Sequence, residues 1–335
     1  MPPLQKLHTA DIGDHVIDLR WSPDGKHLAA ASVSGSIHIF RSSDLQLMHQ
    51  LSGHAMGTTA MVWHPTLSLL ASAGQDGKAK LWDTEKGTEK ASMPCGMGWV
   101  EHIAWSFDGE TLAASCGKKV TLWHADGTKA HAFPDFQSTV ADIAWRPHHM
   151  HLAAAGYNGV LLYPTDDDAP PEKLEWKGST LTCMWSPNGK MLATGDQDCT
   201  VQLWYPDEDR HLQMYGYMVK ALQLSWTKDS RFLATGGGIN VTVWDCSGKG
   251  PEDQTPLLLE GHEVLISALA YQHGGTLLVS GDEGGLVRVW QHQEAEMFLS
   301  GIRLDQLVSK IAWSPDDSII AVGGSLGSVS LLRLP

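Results

Sequence analysis

The sequence predicts an all-β fold in which one four-stranded unit is repeated eight times. The first observation is a Trp-Ser-Pro-like turn that recurs through the chain. The aromatic residues that open its eight copies are Trp21, Trp63, Trp105, Trp145, Trp185, Trp226, Tyr271 and Trp313. Successive copies are 40 to 45 residues apart. This period is typical of β-propeller blades rather than of helical repeats.

Short apolar runs separated by turn residues are the second observation, and the second repeat shows them most clearly. Runs at 59–63, 69–73 and 78–82 are separated by His64-Pro65 and by Gln75-Asp76-Gly77. Because Pro presets the first position of a turn and Gly accepts positive φ, these runs are interpreted as short antiparallel strands. A fourth run follows before the next copy, so each unit is a four-stranded sheet.

The third observation is a position, two residues before each turn aromatic, that is apolar in every copy. Its occupants are Leu19, Met61, Ile103, Ile143, Cys183, Leu224, Leu269 and Ile311. The preceding residue varies, which is the period-two pattern of a half-buried strand. No segment carries a sustained helical period, so we expect almost no helix.

Aromatic residues also end the third run of most repeats. They are Phe40, Trp82, Trp123, Tyr163, Trp204, Trp244 and Trp290, with Leu332 as a degenerate copy, and Gly-His pairs precede two repeats at Gly53-His54 and Gly261-His262. With these features the chain resembles the WD-repeat (WD-40) β-propeller family from near residue 4 to residue 334. The resemblance implies a closed propeller with a face that binds peptides and proteins.

Chain arithmetic favours eight four-stranded blades in a single domain, residues 1–335, with the seven blades commonest in this family as the alternative. Trp21 and Trp313 are 292 residues apart, so eight repeats use nearly the whole chain. The last repeat ends after three strands, and we expect residues 4–10 to supply the fourth. This closure would hide sheet edges and tie both termini into one blade.

Composition narrows the class of partner. The chain has 38 Asp and Glu against 24 Lys and Arg, a formal charge of −14, which argues against a nucleic-acid or anionic-membrane surface. The start of the chain lacks the pattern of a signal peptide, and no apolar stretch is long enough for a membrane span. Five cysteines without a C-x-x-C pair indicate reduced thiols in a cytoplasmic protein. Composition does not predict the oligomeric state.

One polar set has the residue types of a hydrolase site: His54, Ser72, Asp76 and Trp82. In the family that the chain resembles, these positions form a structural hydrogen-bonded chain. We favour that structural role because incomplete copies recur: Thr194, Asp198 and Trp204 lack the His, and His262, Ser280 and Trp290 lack the turn Asp. Nucleophile sites do not recur in this way. We therefore predict no catalytic residue, and no enzyme.

Histidine supplies an alternative hypothesis. His148, His149 and His151 cluster in one turn, where other repeats carry Asp-Gly. Close histidines can bind zinc, nickel or copper, so a metal- or small-molecule-handling propeller is the alternative function. No other ligand lies within the turn, and the main interpretation is solvent-facing side chains without a metal. No phosphate loop or dinucleotide fingerprint is present, and no cofactor is expected.

Tryptophan gives the sharper clue to function. The repeat accounts for twelve of the 14 tryptophans and leaves Trp176, expected in an outer strand, and Trp99 in a glycine-rich segment. Trp99 either plugs the propeller channel or lies on a recognition face, where large rings and Met are enriched. The residues expected on that face are His15, Met56, Met97, Trp99, Tyr157, Gln197, Tyr215, Tyr217, Met218, Asp282 and Glu283. The sequence therefore predicts a non-enzymatic scaffold for a protein or peptide partner.

Overall fold

The computed structural model describes residues 3–166, 169–293 and 297–335 and is built almost entirely of antiparallel strands. A single 3₁₀ turn, Pro206–Glu208, is the one helical element among these residues. No helix in the described part of the chain has the length and apolar character needed to cross a membrane. The expectation of an all-β fold is confirmed.

Five of the seven sheets contain four strands that are consecutive in the chain. The first has β2 (Val16–Trp21), β3 (His27–Ser32), β4 (Ile37–Arg41) and β5 (Leu47–Leu51). The second has β6 (Thr58–Trp63), β7 (Leu69–Gly74), β8 (Lys78–Asp83) and β9 (Thr88–Pro94). The third has β10 (Val100–Trp105), β11 (Thr111–Cys116), β12 (Lys119–His124) and β13 (Lys129–Ala132). Another has β20 (Leu224–Trp226), β21 (Phe232–Thr235), β22 (Val241–Asp245) and β23 (Leu257–Leu259). The last of the five has β24 (Ile266–Tyr271), β25 (Leu278–Asp282), β26 (Leu286–Trp290) and β27 (Phe298–Arg303).

The fourth and fifth repeats form one sheet instead of two. Its six strands are, in order, β14 (Asp142–Trp145), β15 (His151–Pro164), β16 (Glu172–Trp185), β17 (Leu192–Asp196), β18 (Val201–Tyr205) and β19 (Arg210–Met214). The prediction of eight separate four-stranded sheets is therefore wrong: the described residues form seven sheets, the number kept as the alternative. The reason is that β15 and β16 are each 14 residues long and run through the places where the repeat pattern predicts a connection.

A close approach of two backbones makes this continuity possible. The register of β15 on β16 shifts between Tyr157 and Gly159, where the chain turns with positive φ. A Cβ at Gly159 would lie 2.0 Å from the carbonyl oxygen of Leu174, so only glycine fits. This irregularity interrupts the pairing of β15 with β16, which continues on both sides of it.

The seventh sheet joins the two ends of the chain. Its order is β1 (Gln5–Asp11), β30 (Ser328–Arg333), β29 (Ile320–Gly324) and β28 (Val308–Trp313). β1 is antiparallel to β30 from the pair Gln5–Arg333 to the pair Asp11–Ser328. The predicted closure by the N-terminal strand is confirmed, with the strand one residue further along than expected.

The described chain divides into two compact units. The terminal unit comprises residues 1–19 and 186–335, and the middle unit comprises residues 20–185. In the middle unit a core cluster lies between the second and third sheets, where Leu81 and Met93 pack with Ile103 and Leu112. In the terminal unit, Val287 of β26 packs with Val308 and Trp313 of β28 and with Leu4, again between neighbouring sheets. Burial of apolar faces between neighbouring sheets accounts for the apolar position of the repeat.

Four turn tryptophans are hydrogen-bonded to the repeat before them. In the middle unit, the Trp63 indole N–H donates to the carbonyl oxygen of Arg20 at 3.0 Å. The same link joins Trp145 to Ala104 at 3.0 Å, Trp185 to Ala144 at 3.2 Å and, in the terminal unit, Trp313 to Ala270 at 3.1 Å. A buried indole N–H needs an acceptor, and in these four cases a carbonyl oxygen of the preceding repeat supplies it. These tryptophans therefore connect neighbouring repeats.

Candidate functional site

The connections between successive sheets lie at one end of the strands, which we call the loop end. In the middle unit these connections are hydrogen-bonded to the turns between second and third strands. Gln75 N donates to Gly57 O and Cys95 N donates to Gly77 O, both at 2.9 Å, and Val140 N donates to Gly117 O at 2.8 Å. The loop end is therefore a surface held by backbone hydrogen bonds, which suits a preformed binding face.

Four of the predicted face residues are exposed at the loop end of the middle unit. They are Met56, Met97, Trp99 and Tyr157. The Trp99 side chain is 52% exposed and Met97 is fully exposed, although both side chains are large and apolar. Val33, at the turn after β3, is an exposed apolar residue that the repeat pattern did not single out. Its signal was present in the sequence, as an apolar residue between the turn residues Ser32 and Ser34.

The predicted face residues of the terminal unit divide into exposed and enclosed groups. Tyr215, Met218, Gln197 and Glu283 are exposed, and His15 is half-buried. Two other predictions are corrected because their side chains turn inward, toward buried hydrogen-bonding partners.

Tyr217 is the first of these corrections. Its hydroxyl lies 2.9 Å from Thr235 Oγ1 and accepts the Trp244 indole N–H at 2.8 Å, and burial raises the pKa of Tyr217 to about 12. Asp282 is the second correction, with only 1% of the residue exposed. Its Oδ2 lies 2.7 Å from His262 Nδ1. The Tyr217 hydroxyl and the Asp282 carboxylate are therefore both engaged in hydrogen bonds inside the protein.

The polar set His54, Ser72, Asp76 and Trp82 forms a continuous hydrogen-bonded chain. Trp82 Nε1 donates to Ser72 Oγ at 2.8 Å, and the Ser72 hydroxyl lies 2.8 Å from His54 Nε2. His54 Nδ1 lies 2.9 Å from Asp76 Oδ1, so a neutral ring with hydrogen on Nδ1 satisfies every member. Ser72 is fully buried, and its oxygen is shared by Trp82 and His54. An enclosed hydroxyl of this kind cannot attack a substrate.

A second complete chain is present in the terminal unit. His262 Nε2 lies 2.7 Å from Ser280 Oγ, which accepts the Trp290 indole N–H at 2.8 Å, and Asp282 completes the set through His262 Nδ1. The expectation that this copy lacks its Asp is wrong. The carboxylate follows the Ser by two residues here and by four in the first chain, so a fixed spacing missed it. At Trp244 a Tyr takes part instead of a His: the Tyr217 hydroxyl accepts the Trp244 indole N–H.

Burial of histidines predicts a loss of stability in mild acid. Burial lowers the pKa of His38, His54, His64, His262 and His292 below the usual 6.5. The unfolded chain then binds protons first as the pH falls, so their contribution is complete above about pH 6.5 and declines below it. We expect the melting temperature to fall by several degrees between about pH 7.5 and about pH 5.5, measured by calorimetry at constant ionic strength. A constant or rising value would contradict the assignment.

A sequence profile for the family described as WD domain, G-beta repeat matches residues 4–41, 45–83, 89–124, 172–205 and 254–291, more than half of the chain. The chain belongs to the WD40 family. Proteins of this family generally act as scaffolds for protein interactions.

Individual WD40 relatives are distant. The B-type cell cycle switch protein ccs52A of Medicago truncatula is 24% identical, covering 70% of this chain and 51% of that protein. Meiotic fizzy-related protein 1 of Schizosaccharomyces pombe is 23% identical, covering 76% of this chain and 62% of that protein. The chain thus spans less than two thirds of the length of these relatives. The crystal structure of the computationally designed Ika8 protein has a TM-score of 0.84, with 18% identity, over 98% of this chain and 100% of that one, which shows the fold alone.

The histidine-rich turn of this WD40 chain does not assemble a metal site in the described structure. His148 and His149 are exposed, and the ring centroids of His149 and His151 are 6.3 Å apart. Within residues 3–166, 169–293 and 297–335, no three His, Cys, Asp or Glu side chains are grouped so as to hold a metal ion. Nothing in the geometry supports the metal-handling alternative.

The cysteines of the WD40 chain are all free thiols, as expected, and four of the five are buried. Burial raises the pKa of Cys95 and of Cys246 to about 12, and that of Cys183 lies well above its usual value for the same reason. Reaction as a nucleophile requires a thiolate, so these three side chains are packing groups.

Proposed function

We propose that this protein is a non-enzymatic scaffold that binds a protein or peptide partner at the loop end of its middle unit. The observation that carries the proposal is the exposure of Trp99 and Met97 on a segment that hydrogen bonds hold against neighbouring turns. Large side chains on a rigid support bury area at little cost in conformational entropy, and Trp is enriched among the residues that dominate binding energy. Met56 and Tyr157 extend the surface at the same end.

The proposal includes three broader expectations from the sequence. Residues 1–335 form one propeller domain, which is supported by the pairing of β1 with β30 and by the likeness to Ika8 over 98% of the chain. Nucleic acid and membranes are not partners, in keeping with the formal charge of −14. The setting is cytoplasmic, in keeping with five unpaired cysteines.

Replacement of Trp99 by Ala tests the binding surface. We expect Trp99→Ala to reduce capture of the protein's partners from its native cell extract by at least about tenfold, because anchor residues contribute roughly 2 kcal/mol or more. Quantitative mass spectrometry of proteins retained by immobilised full-length chain provides the measurement. Melting curves should stay unchanged, because the ring is half exposed.

Phe107→Ala is the matched control for Trp99→Ala. Phe107 is 47% exposed and lies in the turn between β10 and β11, at the end opposite the loop end. This control should retain partners at the wild-type level. Equal capture by the Trp99 and wild-type proteins would disprove the proposed surface.

A further inference from the structure

The glycine-rich segment 95–99 is enclosed by two turns that each lead into lysine. On one side, Cys95 N and Gly96 N both donate to Gly77 O, at 2.9 and 3.3 Å. A Cβ at Gly77 would lie 2.3 Å from Gly96 O, so the turn and the segment are in tight contact. Lys78 follows directly and is exposed.

The other side of the segment is equally close to its neighbour. The Cys116 thiol donates to Gly98 O at 3.3 Å, and a Cβ at Gly98 would be 4.0 Å from Gly117 N. Lys118 and Lys119 follow Gly117, and both are exposed. The three segments 75–78, 95–99 and 116–119 thus form one surface, which we call the lysine corner.

The charge of the lysine corner is opposite to that of the whole chain. Its exposed charged side chains are all lysines: Lys78, Lys118 and Lys119. Asp135 is exposed beside Lys118, whose carbonyl oxygen accepts the Phe136 N–H at 2.8 Å, but two other nearby carboxylates are withdrawn. Asp76 is bonded to His54 and to Lys78 N, with its side chain 14% exposed, and Glu101 is half-buried at the start of β10. On a chain with 14 more acidic than basic side chains, this local excess of positive charge stands out.

Apolar and cationic groups therefore share the corner. Met97 is the most exposed apolar side chain at the loop end of the middle unit, and Trp99 lies two residues further on. An apolar surface bordered by charges of one sign selects a segment with an apolar anchor and charges of the opposite sign, because like charges in contact are unfavourable.

We infer that the lysine corner binds an acidic peptide segment of a partner protein, with an apolar side chain placed against Met97 and Trp99 and carboxylates beside Lys78, Lys118 and Lys119. This inference rests on the proposed function and names the chemistry of its partner. The chain's own formal charge of −14 repels acidic segments elsewhere on its surface, so binding is directed to this corner.

Selection from a random peptide library provides the probe. The full chain is immobilised, peptides of about 12 residues displayed on phage are selected, and the enriched sequence is synthesised with a fluorescent label. We expect enriched peptides to contain an aromatic or aliphatic anchor and a net negative charge. An enriched set without charge bias, or with net positive charge, overturns the inference.

Charge reversal at the lysine corner is the second experiment. Lys78→Glu, Lys118→Glu and Lys119→Glu together should weaken binding of the labelled peptide by at least about tenfold in fluorescence anisotropy, and raising NaCl from about 50 to about 500 mM should weaken wild-type binding several-fold. The control carries the same charge change at exposed lysines elsewhere in the middle unit: Lys26→Glu, Lys90→Glu and Lys129→Glu. Control binding should change less than about twofold. Circular dichroism confirms that both variants fold.

The outcomes separate this inference from the proposed function. If Trp99→Ala abolishes peptide binding and the triple reversal at the corner does not, the binding surface stands and the acidic partner is wrong. If neither variant affects binding, both fail. An oligothymidylate of the same net charge that binds as tightly as the peptide also overturns the inference, because the corner would then recognise anionic polymers without an apolar anchor.

Discussion

We expect removal of residues 1–10 to lower the melting temperature of this protein by at least about 5 °C. The deletion removes most of β1, which is paired with β30 along the edge of the seventh sheet. It also removes Leu4, which is 2% exposed and belongs to the core cluster with Val308 and Trp313. Loss of one buried leucine costs about 2–5 kcal/mol, and the unpaired edge of β30 adds to this.

The size of the shift follows from the entropy of unfolding. For a chain of this length, a loss of about 4 kcal/mol corresponds to about 6 °C. A shorter deletion of residues 1–3 is the control, because it retains Leu4 and all of β1 and should melt like the full chain. Both proteins are compared by differential scanning calorimetry. Identical melting of the deletion of residues 1–10 and the full chain would mean that β1 does not stabilise the closure.

Asp282→Ala should destabilise the fold by about 3–5 kcal/mol. The side chain is enclosed and accepts three hydrogen bonds: from His262 Nδ1 at 2.7 Å, and from Gly284 N and Leu286 N at 2.9 Å each. Alanine leaves the His262 Nδ1–H buried without an acceptor and removes two part-buried backbone hydrogen bonds, and loss of one partner from a buried His–carboxylate pair costs about 3–5 kcal/mol. The free energy of unfolding in urea provides the measurement.

Asp76→Ala is the matched comparison for Asp282→Ala. Asp76 occupies the same place in the first hydrogen-bonded chain, but its side chain is 14% exposed and water can replace it. We expect a loss of about 1–2 kcal/mol for Asp76→Ala. If Asp76→Ala lowered the free energy of unfolding more than Asp282→Ala, burial would not control how much these hydrogen-bonded chains stabilise the fold. Asp282→Asn should recover part of the loss because its amide oxygen remains an acceptor.

The periodic features of the chain were predictable because several repeats use the same interactions. The tryptophan that opens each turn recurs because the Trp63 indole and its equivalents donate to the sheet before them. β1 was predictable because the last repeat is one strand short. The hydrogen-bonded chain of His54, Ser72 and Trp82 was predictable because the family that the sequence resembles has such a chain at those positions.

Departures from the repeat were not predictable in the same way. The spacing of Asp282 from Ser280 differs from that of Asp76 from Ser72, and only the folded backbone brings each carboxylate to its His. The sequence predicts Tyr217 as a surface aromatic because its partner Trp244 is 27 residues away in the chain. The merging of two repeats into one sheet likewise depends on the long strands β15 and β16, and β15 continues through Asn158-Gly159, a pair that is typical of a turn.

The sequence by itself determined the β class of this protein, its repeat period, the strand that closes the last sheet and the isolation of Trp99 from the repeat. These are properties of pattern and composition, which act through local geometry and the burial of apolar side chains. The tertiary structure alone decided the number of sheets, the inward turn of Tyr217 and Asp282, and the position of Lys78, Lys118 and Lys119 around segment 95–99. Those features depend on contacts between residues about 20 or more positions apart, and only packing determines which of them meet.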